Sequence, residues 1–401
     1  MQLNLLHYIC EKKVMVSFEN TEIAFKSKSN NDLRKSYLLF SALANNWLMQ
    51  LGGGVTQSFL KIGLPVNWFV KPTIYRQFVG GESIAECIPT IKTLSKFKVK
   101  AILDFSVEGT ESKEGIQYAM EETLRTIENA VNHPDIPFAV FKPTAFTTHN
   151  VLTKVSAGEP LSEEEKEEAA NFRARVETLC KTAHDKGVPI LIDAEDSWYQ
   201  NFIDEVVNSM MAKYNRERAI VFNTFQMYRH DRLDFLKKSY QMAVDGNYFL
   251  GAKFVRGAYM EKERARAAQM GYPSPIQPDK EHTDNDFNAA LKFCVEHIDR
   301  ITIFNGTHNE FSARWLTELM AEKKIAKNDP RIWFSQLYGM SDHISFNLAH
   351  AGYNVAKYLP YGPVKHVIPY LVRRAEENTS VKGQTGRELT LIKREMGRRR
   401  K

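Results

Sequence analysis

Two adjacent arginines near the C-terminal end give the clearest chemical signal in the chain. Tyr370, Arg373, Arg374 and Glu377 fall at i, i+3, i+4 and i+7, so on a helix they share one face. A helix that only packed on a core would be apolar there. Two planar guanidinium forks suit a carboxylate, and Glu377 is spaced to hold one of them or a ligand hydroxyl. An anionic small substrate is implied; a solvated face with an Arg–Glu pair is the competing reading. A second cluster is Lys253-Phe254-Val255-Arg256-Gly257-Ala258-Tyr259. Strand alternation sends Lys253, Val255 and Gly257 to one face and Phe254 and Arg256 to the other. Small residues before an aromatic at a strand end let a large flat ligand approach the backbone. Positive charge there suits a cofactor that becomes anionic on reduction, although a glycine-containing turn with two snorkelling cations fits equally well. The third cluster is Thr307-His308-Asn309. Its loop position suits phosphate or ribose contacts, whereas a lone histidine is more often structural. There is no hydrolytic triad pattern, H-E-x-x-H, Walker loop or cluster of metal ligands.

These residues need elements to bring them together. From Val99 onward the sequence repeats one unit: a short β-branched or apolar run, then a segment of helical periodicity. The runs are AILDFSV (101–107), FAVFKPTAF (138–146), PILIDAED (189–196), AIVFNTFQM (219–227), FLGAKFVRGA (249–258), ITIFNGTH (301–308), IWFSQLYG (332–339) and NVAKYLPYG (354–362). Eight strands each followed by a helix predict an α/β fold, a (β/α)8 TIM-like barrel. An open doubly wound sheet is the alternative, without the G-x-G-x-x-G that would support it. In a barrel, active-site groups gather at the strand C-termini. The eight runs end in Asp104, Lys142, Asp193, Gln226, Arg256, His308, Gln336 and Tyr358; ionisable groups rarely sit in strands without a partner, and a structural reading accounts for only one or two of these as satisfied core polars. Residues 1–95 are expected to form an N-terminal helical arm, with Leu38, Leu39, Leu43, Trp47 and Leu51 as an apolar stripe ended by Gly52-Gly53-Gly54. A further helix is expected at about Ser83 to Phe97. Residues 96–380 form the barrel and 381–401 a basic tail.

With 401 residues, 43% hydrophobic and 25% charged, the chain has the composition of an ordinary globular protein. The net charge of +6 is local: eight basic and two acidic residues between Lys382 and Lys401 account for all of it. Four cysteines, Cys10, Cys87, Cys180 and Cys294, lie far apart without C-x-x-C spacing, which points to a reducing compartment and away from a zinc site or disulfide scaffold. No secretory leader is recognisable at the N-terminus, and the longest apolar stretch is too short to span a bilayer. A cytoplasmic protein is expected, peripheral on the inner face of the membrane if it contacts one.

Taken together, FVRGAYMEKERARAAQMGYPSPI (254–276), Gln226-x-Tyr228, IDAEDSW (192–198), Thr307-His308-Asn309, SQLYGM (335–340) and YLPYGPVKHVIPYLVRRAEEN (358–378) resemble the proline dehydrogenase family. The resemblance runs from about Lys142 to Asn378 and is nearer to the stand-alone forms than to the fused bifunctional one. It implies a distorted barrel holding FAD along the strand C-termini and oxidation of L-proline to Δ1-pyrroline-5-carboxylate, with hydride passing from proline C5 to flavin N5. It implies that Arg373, Arg374 and Lys142 grip the carboxylate, and that Asp193, Leu337, Tyr259, Tyr358 and Tyr370 wall the ring. Ala194, Gln226, Lys253, Val255, Arg256, Gly257, Ala258, Thr307, His308 and Glu377 match flavin-contacting positions, with Lys280 and Thr283 toward the adenine. Asp193 and Lys253 are the catalytic positions; Asp193 either orients Lys142 or helps deprotonate the amine. This chain has Lys253 and Met260 where many bacterial members carry arginine and tryptophan. Tyr358 matches the position associated with preferring proline over 4-hydroxyproline.

The resemblance also implies a membrane quinone as electron acceptor. Leu389, Ile392 and Met396, spaced i, i+3, i+7 among basic residues, make the tail either a short contact with an anionic membrane or a disordered solvated tail. Nothing points to nucleic-acid binding. The alternatives in another class are a flavin-free lyase using Lys142 or Lys253 as a Schiff base and a non-catalytic amino-acid binding protein.

Overall fold

The computed structural model describes residues 16–43, 70–106, 111–380 and 384–401. Its core is eight parallel strands: β1 (Val99–Phe105), β2 (Ala139–Phe141), β3 (Ile190–Ile192), β4 (Val221–Gln226), β5 (Leu250–Val255), β6 (Ile301–Gly306), β7 (Ile332–Leu337) and β8 (Val355–Tyr361). They pair in the order β1-β8-β7-β6-β5-β4-β3-β2. The two edges meet, with the Ala101 amide donating to the Asp135 carbonyl just before β2, so the sheet curls into a nearly closed barrel. Every residue of β4 and β8 is buried, as strands covered on both faces require. Ile102, Val140, Leu191, Phe222 and Phe304 fill the interior, while Ala101, Leu103, Ala139 and Phe141 face the helices.

All eight expected strands are present, trimmed at their C-terminal ends. FAVFKPTAF yields only β2, because Pro143 lacks an N–H and sends Pro143–Phe146 into a 3-10 turn. PILIDAED yields only β3, leaving its acidic residues in the loop above. The helix Glu163–Asp185 begins with a reciprocal Ser162–Glu165 capping box.

In the arm, Ser83 caps the expected helix at Ile84–Ser95, and Gly81 bridges Tyr361 of β8 in parallel. The helix Asn30–Leu43 buries Leu33, Ser36, Phe40 and Leu43, and Leu38 is 68% exposed. The apolar stripe is thus offset from the expected one, because Leu38 lies opposite the i, i+3, i+7 face that includes Phe40. Trp47, Leu51, the triple glycine and Cys10 lie outside the described residues. Cys87, Cys180 and Cys294 are buried free thiols.

The tail departs most from expectation. Gln384–Arg398 is a helix, neither disordered nor presenting its apolar face outward. Leu391 and Ile392 are buried with Phe25, Leu33, Phe40 and Phe78, and Leu389 and Met396 pack on the same cluster. Its charges are spent internally: Arg394 pairs with Glu19, Arg398 with Glu22 and Glu395, and Arg399 with Glu395 and the Phe25 and Lys28 carbonyls. Among the described residues no helix is long and apolar enough to cross a membrane.

Candidate active site

The strand C-termini surround a cavity of about 550 Å3. All eight expected strand-end groups line it: Asp104, Lys142, Asp193, Gln226, Arg256, His308, Gln336 and Tyr358. So do Ala194, Lys253, Val255, Gly257, Ala258, Tyr259, Lys280, Thr307, Leu337, Tyr370, Arg373 and Arg374. The last three come from the Val364–Ser380 helix. Tyr370 and Arg374 are buried, Arg373 is half-buried, and the Arg374 guanidinium lies 5.3 Å from the centre of the Tyr370 ring. The helix face is therefore turned into the cavity, not into solvent. The Glu377 side chain lies outside the described residues.

Two ion pairs organise the mouth. Lys142 Nζ donates to Asp104 Oδ1 and Oδ2 at 2.8 and 3.0 Å. Burial alone would raise the Asp104 pKa; the Lys142 charge and hydrogen bonds from Lys142 and Ser106 bring it below the ordinary carboxylate value. Across the barrel, Lys253 Nζ donates to Asp193 Oδ1 at 2.5 Å, and the Tyr358 hydroxyl donates to both Asp193 oxygens at 2.9 Å. Burial and the Asp193 charge push the Tyr358 phenol well above its usual range, so it is the donor. The Lys253 ammonium also lies 4.5 Å from the centre of the Tyr358 ring. Lys142 is thus paired with Asp104, and Asp193 with Lys253 and Tyr358. β1 and β2 are neighbours at the barrel seam, which makes Asp104 the near carboxylate.

The β5 end also differs from simple alternation. The strand stops at Val255, so the Arg256 side chain turns back to the rim. There it bonds Asp284 (2.9 and 2.7 Å), Thr307 (2.7 Å) and Ser312 (3.0 Å) and covers the Phe287 ring. Gly257 has φ 134°, and a Cβ there would lie 2.4 Å from the Tyr228 ring. The need for glycine comes from protein packing behind the cavity as well as from its lining position. Lys280 bonds Asp284. Thr283 does not join the cavity: it is buried, and its hydroxyl donates to the Asp279 carbonyl one turn back. Asn309, though at the cavity, spends its side chain capping the helix Glu310–Glu322 by accepting from the Ser312 amide.

His308 is half-buried, and desolvation, reinforced by the charges of Lys357 and Arg374, holds its pKa down to about 3. It is a neutral imidazole at ordinary pH. Gln226 donates to the Glu195 carbonyl at 2.6 Å and Gln336 to the Thr307 carbonyl at 3.0 Å, fixing both amides.

Several residues were not picked out as site groups from sequence. Glu195 accepts from Thr144 (2.7 Å) and Tyr259 (3.1 Å), and burial pushes its carboxyl up to about 7. Glu310, Ser341, His343 and Arg387 line the cavity. Glu310 and His343 stand at the starts of the helices that follow β6 and β7, a usable signal; Arg387, on the tail, offered none.

The proline dehydrogenase family model matches residues 87–387, three quarters of the chain including every strand. The chain belongs to the proline dehydrogenase family. Proline dehydrogenase 1, mitochondrial, of Dictyostelium discoideum is 32% identical over 95% of this chain and 74% of that protein. The human protein of the same name is 39% identical over 64% of this chain and 44% of its own length. The carbapenem antibiotics biosynthesis protein CarD of Pectobacterium carotovorum is 35% identical over 80% of this chain and 83% of that protein. Among solved structures, proline utilization A from Bdellovibrio bacteriovorus, inactivated by N-propargylglycine, superposes with a TM-score of 0.70 at 19% identity. It covers 94% of this chain, which spans 40% of that longer protein. That likeness carries the fold, a TIM-like barrel. Family members are flavin-dependent oxidoreductases of proline catabolism, and the comparisons lend the flavin-free lyase alternative no support. The donor set fits a flavin: neutral hydrogen-bonding groups at Gln226, Thr307 and His308 beside cations at Lys253, Arg256 and Lys280, around one deep cavity.

Proposed function

We propose that this chain is an FAD-dependent dehydrogenase that oxidises L-proline to Δ1-pyrroline-5-carboxylate, with residues 96–380 as the catalytic barrel, 1–95 as its arm and 381–401 as a brace. The observation carrying the reading is the convergence of three cations, Lys142, Arg373 and Arg374, with three tyrosines, Tyr259, Tyr358 and Tyr370, in one cavity. Lys142 and the arginine pair bind the substrate carboxylate. Tyr259, Tyr358, Tyr370 and Leu337 enclose the ring, with Tyr358 at the position associated in the family with preferring proline over 4-hydroxyproline. Fixing the ring in this way is worth up to about 7–11 kcal/mol of barrier. A bound FAD would supply the hydride acceptor for oxidation at proline C5. Ala194, Gln226, Val255, Arg256, Gly257, Ala258, Thr307, His308 and Glu377 would hold its ring and ribityl portions, and Lys280 its adenine side. Lys253, steadied by Asp193 and Tyr358, would supply positive charge to the flavin, with Asp193 as its orienter.

A membrane quinone takes the electrons onward, and the protein is peripheral on the inner face of that membrane, docked by a surface other than the buried stripe of Leu389, Ile392 and Met396. Arg373→Met tests the reading. The expected result is a KM for proline raised about 100-fold with FAD still bound. Loss of flavin with an unchanged KM contradicts it.

A further inference from the structure

The loop after β7 carries two residues in the left-handed region, Gly339 (φ 79°) and Ser341 (φ 51°). Glycine is required at 339, where a Cβ would lie 1.9 Å from the Gln77 carbonyl oxygen. Ser341 has a side chain and no such freedom, so something outside the loop must hold it there. The holder is on the C-terminal helix. Glu388, 3% exposed, accepts the Ser341 amide at 2.5 Å through Oε1, and the same oxygen lies 3.9 Å from His343 Nδ1. His343 in turn meets Glu310 through Nε2 at 3.0 Å, and Arg387 closes the set on Glu310 at 2.7 Å.

The turn at Ser341 has a direct consequence for the cavity. Its hydroxyl lies 2.9 Å from His308 Nδ1, and the Leu337 amide points at His308 Nε2 from 3.5 Å. A nitrogen facing an N–H must accept, so the proton of this neutral ring sits on Nδ1 and is donated to Ser341 Oγ. His308 and Ser341 both line the cavity, and Glu388 does not.

Building on the flavin reading above, we propose that Glu388 is a positioning residue of the active site. By holding the Ser341 amide in its left-handed turn, it places the hydroxyl that fixes the tautomer and orientation of His308. The C-terminal helix is thereby part of the flavin-side wall. Without that acceptor the buried amide loses its partner, the turn relaxes toward extended backbone, and the hydroxyl leaves His308. The carboxylate clamp of Lys142, Arg373 and Arg374 makes none of these bonds.

The test compares Glu388→Ala and Glu388→Gln with Glu395→Ala. Glu395 is a buried acid of the same helix, bound to Arg398 and Arg399, so its loss loosens the helix without touching Ser341. Glu388→Ala should weaken FAD retention about tenfold, shift the visible flavin bands and lower kcat, with KM for proline within about twofold. Glu388→Gln keeps an oxygen acceptor and should stay near wild type, and Ser341→Ala should add nothing to Glu388→Ala. Glu395→Ala should lower Tm and leave flavin affinity and spectrum unchanged. Wild-type flavin affinity and spectrum in Glu388→Ala would overturn the proposal, as would equal flavin loss in Glu395→Ala at matched Tm. A wild-type chain that binds no flavin would sink the functional reading alone. The positioning claim is then decided by the His308 ring-nitrogen NMR shifts, which Glu388→Ala must move and Glu395→Ala must not.

Discussion

The two sides of the cavity mouth use the same pair of residue types in opposite ways. At the barrel seam, Lys142 pairs with Asp104, and Arg373 and Arg374 line the same cavity. Lys142, Arg373 and Arg374 thus put three cationic side chains on the lining of one cavity. At the far wall, Lys253 meets Asp193 one to one, with the Tyr358 hydroxyl and ring closing the set. Guanidinium and ammonium groups gathered in one cavity suit a carboxylate. A balanced, buried pair holds one charge at a fixed place without attracting a second anion. In the function proposed above, the first is the binding pole and the second the chemical pole.

The largest effect should come from breaking the binding pole. Lys142→Met should raise KM for proline about 100-fold with kcat within about threefold, measured by steady-state kinetics. Breaking the chemical pole should give the converse: Lys253→Met should lower kcat about 30-fold and leave KM nearly unchanged. Equal KM defects in both variants would erase the distinction. A smaller change sharpens it. Asp104→Asn leaves Lys142 in place without its orienting partner and should raise KM about tenfold. Because the folded Asp104 pKa is depressed, its contribution to stability is present above the unfolded value near 4 and lost as pH falls through the lower folded value. Thermal melts from pH 6 down to pH 2 should therefore show a flatter acid limb for Asp104→Asn than for wild type.

The alternation of apolar runs and helical segments carried the barrel, because each strand buried on both faces must read as a continuous apolar run. The eight polar strand ends pointed to the cavity because eight such groups at one end of a barrel gather at its mouth, although the core also holds paired charges such as Lys357–Asp342 and Arg232–Asp204. The pairings across the mouth could not be read this way. Asp104 is 38 residues from Lys142, Asp193 is 60 from Lys253, and Tyr358 is 105 from Lys253; only the closed curvature decides which carboxylate meets which lysine. The tail shows a second limit. The spacing of Leu389, Ile392 and Met396 states that one face of a helix must be covered, and the same pattern serves a membrane or a protein surface. The two acids that decide it, Glu388 and Glu395, are buried and look like ordinary surface residues in a basic sequence. Thr283 failed because its hydroxyl is satisfied within its own helix.

Titrating the purified protein anaerobically with L-proline while recording its visible spectrum tests the central claim most directly. A flavin spectrum that bleaches as proline is added, and fails to bleach in Arg373→Met at the same concentrations, is the predicted result. A colourless protein, or a flavin band indifferent to proline, would contradict the assignment.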